Sequence, residues 1–213
     1  MVTRQLLQRG GVAAAALFAA CFLVGCATTT VNAEWTDPQF ARRSLRGERV
    51  LVLCDASDTT VRRVCQDRLA AQVSAAGATP VAGADTAGLT AGPPPANDKT
   101  LAAARRAGAK AILAATVAPD ATVVSGGSSV SFGFGGWGGS GGGVSGGGVG
   151  VGVPVGGGRV DTAYGANLAL TDVGTVRLMW TSKVTAPASQ NINAQLDEIA
   201  RVGVGAARSA GFF

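Results

Sequence analysis

The sequence predicts an α/β fold. A single small domain runs β-α-β-α-β, followed by antiparallel strands with a Gly-rich hairpin and a C-terminal helix packed on the sheet. Three observations predict it. Arg49 to Cys54, RVLVLC, is apolar without alternation, as a strand covered on both faces requires. Helical patterns stop at Ala76-Gly77, Gly108-Ala109 and Ala210-Gly211, where glycine supplies the left-handed position just past a helix. In the second half the periodicity changes to two, with a turn at Asp172-Val173-Gly174-Thr175 between strand-like runs at Asp161 to Thr171 and Val176 to Ala186.

Residues 1–25 have the pattern of a bacterial lipoprotein signal peptide. Arg4 and Arg9 are its basic start, an uncharged apolar run follows from Gly10, and Leu23-Val24-Gly25-Cys26 closes it. A run of roughly 15 residues rising about 1.5 Å each is short for a permanent span. Cleavage makes Cys26 the lipid-bearing N-terminus, and several acyl chains of the palmitate kind, at about 0.8 kcal/mol per methylene, form a firm anchor. Residues 26–33 read as a tether and residues 34–213 as the α/β lipoprotein domain, with a Gly-rich low-complexity insertion at 131–158. By resemblance to Gram-negative lipoproteins, Ala27 in place of Asp points to the outer membrane, periplasmic face, rather than to retention at the inner membrane.

With Cys21 removed and Cys26 lipidated, Cys54 and Cys65 remain, eleven residues apart in a chain bound for an oxidising compartment. They are expected to form a disulfide, the alternative being two buried thiols. The formal charge of +5 falls to about +3 without Arg4 and Arg9, and no basic block occurs along the chain, so no nucleic-acid partner is expected.

Taken in order, Trp35-Thr36-Asp37-Pro38-Gln39-Phe40 suggests an aromatic segment packed on the domain. After the RVLVLC strand, Thr59 to about Ala76 is helical, with Val61, Val64, Cys65, Leu69 and Val73 on one face, so that Cys65 faces the sheet and Cys54. A short strand at Thr79 to Ala82, a helix from Asp98 to Ala107 and a strand from Ala111 to Val117 follow. Trp180 and Ser182 share one face of a later strand, and Met179, Thr181 and Lys183 the other. In the last helix, Asn193 to Ala210, the inner stripe is Leu196, Ile199, Val202 or Gly203, and Ala206.

The lipobox, Trp35 to Phe40, Arg49 to Leu53, Gly108 to Leu113 and Leu178-Met179-Trp180 together resemble a family of bacterial lipoproteins built on a domain of unknown function. The element order is also similar to the N-terminal domain of TolB and the periplasmic domain of CsgG, a likeness of fold order that carries over no catalytic residue.

The chemistry available is narrow. The chain has no histidine, which removes the commonest general base and metal ligand, and the adjacent Ser182 and Lys183 point to opposite faces of a strand. The best acidic candidates are Asp55 and Asp58 at the carboxyl end of a buried strand, where open α/β sheets bind ligands. They are three apart rather than the two of a haloacid-dehalogenase aspartyl motif, and the alternative is that Asp58 caps the following helix. No enzymatic activity, cofactor or metal is expected.

Between Ser131 and Gly158, sixteen of twenty-eight residues are glycine. Gly133 to Gly138 fits G-x-G-x-x-G, but no amphipathic helix follows to receive a pyrophosphate. The flanks alternate instead: Val130, Phe132 and Phe134 on one arm, Val149, Val151, Val153 and Val155 on the other, with no charge from Ala121 to Gly158. Such a hairpin packs on its own domain, docks a partner or a second copy, or enters the outer membrane. The expected function is a non-enzymatic, lipid-anchored envelope protein working through contacts with an envelope protein partner, with homo-oligomeric secretion or pore assembly through the hairpin as the alternative. Small-ligand binding at Asp55 and Asp58 stands behind both.

Overall fold

The computed structural model describes residues 28–82, 89, 96–125, 128–132, 151–155 and 159–213. Among them are eight strands and three α-helices: β1 (Thr30–Thr36), β2 (Arg49–Asp55), α1 (Thr59–Ala75), β3 (Thr79–Val81), α2 (Asp98–Arg106), β4 (Ala111–Ser125), β5 (Ser128–Phe132), β6 (Val151–Val155), β7 (Arg159–Asp172), β8 (Leu178–Thr185) and α3 (Ile192–Ser209). Six strands form one mixed sheet in the order β1-β8-β7-β4-β2-β3, and β5 pairs with β6 apart from it. β2 is parallel to β3 and β4, while β4, β7, β8 and β1 pair antiparallel in turn. The predicted α/β domain is therefore present, with its C-terminal helix on the sheet.

Alternation across β2 explains why RVLVLC has no polar face. Val50, Val52 and Cys54 belong to a core shared with Leu69 and Val73 of α1 and Leu196 and Ile199 of α3. Leu51 and Leu53 point the other way, into a smaller core with Leu101 and Ala104 of α2 and Ile112 of β4. Helices thus cover both faces of the central strand. Gly77, Gly108 and Gly211 all have positive φ, as the helix-stop pattern requires.

Four expectations change. β1 begins at Thr30, inside the segment read as tether, because residues 30–36 find a backbone partner in β8. Trp35 does not pack on the domain but is 48% exposed on that edge strand, whereas Phe40 does pack against the core. Met179 is buried with Trp180 rather than lying on an open face. In α3 the Gly203 alternative is the buried one, and Ala207 is buried in place of Ala206, while Val202 and Ala206 pack half-buried at the edge of the core. Gly203 is there for clearance: a Cβ would lie 2.7 Å from Leu168 Cδ2 of β7.

Trp180, fully buried, donates its indole N–H to Glu34 Oε1 at 2.7 Å and so ties β1 to β8. Asp37 ends β1 by accepting from Gln39 N at 2.9 Å and pairing with Arg177 at 2.7 Å, and the Arg177 guanidinium lies 5.7 Å over the Phe40 ring. The W-x-D-P-x-F segment is a buttress between the first strand and the β7–β8 turn.

The two glycines of α3 should respond oppositely. Gly203→Val should cost about 1–3 kcal/mol by overpacking against Leu168, while Gly205→Ala, where nothing lies within 4 Å of the added carbon, should gain about 0.5–1 kcal/mol. Thermal melts of the two variants check both signs.

Candidate functional site

Parallel pairing of β2 with β4 puts Asp55 opposite Thr116, at the carboxyl end of the central strands. There Asp58 caps α1, its Oδ1 accepting from Val61 N at 2.9 Å. Asp55 Oδ1 lies 4.0 Å from Arg62 Nε, and the same guanidinium donates to Ala56 O at 3.3 Å. Each carboxylate thus has its own local partner, and among the described residues no cluster of three or more His, Cys, Asp or Glu could hold a metal. Immediately beside them Cys54 and Cys65 form the expected disulfide, their Cα atoms 6.0 Å apart and both residues 3% exposed. This bond closes β2 onto α1 across the turn that carries both aspartates. Cys26 lies outside the described residues.

A second feature was only half legible. The strand expected at Ala111 to Val117 continues to Ser125, paired with β7 as far as Ser125↔Arg159. β2 stops pairing with β4 at Thr116, and β8 stops pairing with β7 at Gly165, so the last part of β4 and the first part of β7 leave the sheet as a two-stranded ribbon. In chain order the ribbon leads into β5 and β6, which pair Ser128↔Val155 through Phe132↔Val151, the hairpin that the alternating arms predicted. The G-x-G-x-x-G letters and the rest of the glycine tract lie outside the described residues.

The base of the ribbon is pinned. A bulge at Asp120 sits beside Gly165, and Asp120 pairs with Lys183 of β8 at 3.5 Å. Gln195 of α3, 4% exposed, donates from Nε2 to Thr162 O at 2.8 Å and to Pro187 O at 2.7 Å. Ser189 N adds a bond to Thr162 O. Gln195 was missed because nothing in a polar residue on an apolar helical stripe says which backbone it will meet.

At the opposite end of the sheet, a concavity of 520 Å³ lies against the β7–β8 turn, lined by Arg43, Arg105, Gly108, Lys110, Asp172 and Thr175 among others. Asp172, 2% exposed, organises the turn: Oδ2 accepts from Thr175 N at 2.7 Å and Thr175 Oγ1 at 2.9 Å, and Oδ1 lies 3.0 Å from Arg43 Nη2.

Fold and site together define a single α/β domain with a two-stranded β ribbon continuing from its sheet. No family model matches the chain, and no curated protein matches it. Among solved structures the chain is similar to the PelC dodecamer from Paraburkholderia phytofirmans, at 14% identity over 82% of this chain and 96% of that one, with a TM-score of 0.44. It is similar also to lipoprotein GNA1162 from Neisseria meningitidis, at 15% identity over 76% of this chain and 98% of that one, with a TM-score of 0.40.

Replacing Cys54 and Cys65 together by Ala should cost about 3 kcal/mol in chemical denaturation, and Asp58→Ala about 1 kcal/mol. Gln195→Ala should cost about 1–3 kcal/mol and, in limited proteolysis, expose the ribbon to cleavage well before the rest of the sheet.

Proposed function

We propose that this chain is a non-enzymatic protein of the cell envelope, held by lipid on Cys26 at the periplasmic face of the outer membrane, acting through protein contacts in envelope maintenance or assembly. The observation that carries this reading is the ribbon. It leaves the sheet at the end where β1 starts, since Thr30 pairs with Thr185 at the finish of β8 and Gly165 pairs with that same Thr185. The ribbon and the proposed anchor therefore share one end of the domain.

From Ala121 to Gly158 no residue is charged. Exposed strand edges ordinarily carry charge to discourage pairing, so an uncharged hairpin on a pinned base suits strand addition by a partner. The local partners of Asp55 and Asp58 favour this reading over ligand binding. Homo-oligomeric secretion or pore assembly is the second reading, and it draws on the same hairpin.

Mass spectrometry of the mature protein should find an acylated N-terminal Cys26, and an unmodified peptide beginning upstream of it overturns the anchor. Size-exclusion and crosslinking in neutral detergent, with and without residues 131–158, should give a monomer in both cases. A ring or higher oligomer that is lost with the deletion favours the pore reading instead.

A further inference from the structure

The cations that look scattered along the sequence are gathered by the fold at the end of the sheet opposite the ribbon. Arg42, Arg43 and Arg46 lie in the β1–β2 connection, and Arg49 opens β2. Arg105 and Arg106 end α2, Lys110 precedes β4, and Arg177 precedes β8. Register places these segments together, because Val50 pairs with Ala111 and Ala111 with Asp172. All of these cationic residues are exposed.

Two of them are already matched, Arg43 by Asp172 and Arg177 by Asp37. The others have no carboxylate partner among the described residues, and the one further acid in these segments is Glu48. Helix dipoles account for part of the surplus. All three helices end here, and the stems of Arg46 and Arg49 lie 3.7 Å and 3.9 Å from where a Cβ on the terminating Gly77 and Gly108 would be. Three ends at about −0.5 each come to roughly −1.5 charges, far short of six unmatched cations. Two of the unmatched cations, Arg105 and Lys110, line the 520 Å³ concavity beside the Arg43–Asp172 pair.

We propose that this basic end is a docking face for the carboxylate-bearing glycan–peptide mesh of the cell wall, with Arg105 and Lys110 as its central contacts. The proposal rests on the anchoring read above. From Thr30 to Thr36, β1 runs seven residues, about 20 Å at roughly 3.3 Å per residue, and the tether is at the far end. With β1 standing along the membrane normal, as the proposal takes it, the basic end is more than two Debye lengths, each about 8 Å at physiological ionic strength, from the anchoring membrane. Charges there do not sense that membrane's headgroups, and they face the aqueous interior, where a polyanionic mesh is the complementary surface. A broad face of separate cations around a shallow hollow fits a polymer with repeated carboxylates better than one small anion.

The test uses the full-length lipoprotein in neutral detergent, co-sedimented with isolated cell-wall sacculi and, separately, floated with phosphatidylglycerol vesicles. Retention on sacculi should fall roughly two- to fivefold for each cation removed in Arg105→Gln and Lys110→Gln, and be abolished by 0.5 M salt. Arg62→Gln with Arg63→Gln, at the other end, should bind sacculi as the parent does. Circular dichroism confirms that all variants are folded. Unchanged retention in the Arg105 and Lys110 variants, or binding to vesicles but not to sacculi, overturns the proposal. The state of Cys26, read by mass spectrometry on the same preparation, reports separately on the anchor.

Discussion

The pairing of β4 with β7 is the constraint on which the rest of the structure depends. One register, running from Ala111↔Asp172 to Ser125↔Arg159, serves two purposes. Its first half is the centre of the sheet, where Leu113, Leu168 and Leu170 are fully buried under α1 and α3. Its second half has lost both neighbouring strands and forms the ribbon. A one-residue slip would turn Leu168 and Leu170 away from the helices and shift the ribbon with them. The bulge at Asp120, the Lys183 pair and the Gln195 bridge all act at the joint between the two halves.

This joint gives the domain a polarity. The ribbon and the start of β1 lie at one end of the sheet, and the ends of all three helices with their surrounding cations lie at the other. If lipid holds the first end, as proposed, the second faces outward, and the domain presents two different surfaces: an uncharged hairpin suited to strand addition and a basic face suited to a polyanion. Between them the cores contribute rigidity, with the disulfide fastening β2 to α1 at the ribbon end and Asp172 fastening the β7–β8 turn at the basic end.

Much of the core was legible in the sequence because its signals are local. The uninterrupted apolar run of β2, the glycines past each helix, the carboxylate at Asp58 and the spacing of Cys54 and Cys65 each depend on residues no more than eleven positions apart. What stayed hidden depends on distant pairing. β1 looked like tether because Thr30 to Ala33 are small and polar, and only β8 makes them a strand. The extension of β4 past Val117 crosses Pro119 and Asp120, which signal a stop unless a bulge and a partner strand are supplied. The choice of Gly203 over Val202 was settled by Leu168 of another strand. The basic end is the strongest case: its cations come from three separate stretches of chain, so no window of sequence contains them together.

On the proposed function, the ribbon is the contact-making part of the domain. Site-specific photo-crosslinking in living cells tests this most directly, with the probe placed at Thr122 on the ribbon and, for comparison, at the exposed Ser74 on α1. A contact-making ribbon gives a discrete, reproducible protein adduct from position 122 and none from position 74. Adducts from position 74 alone, or the same adducts from both positions, would contradict it.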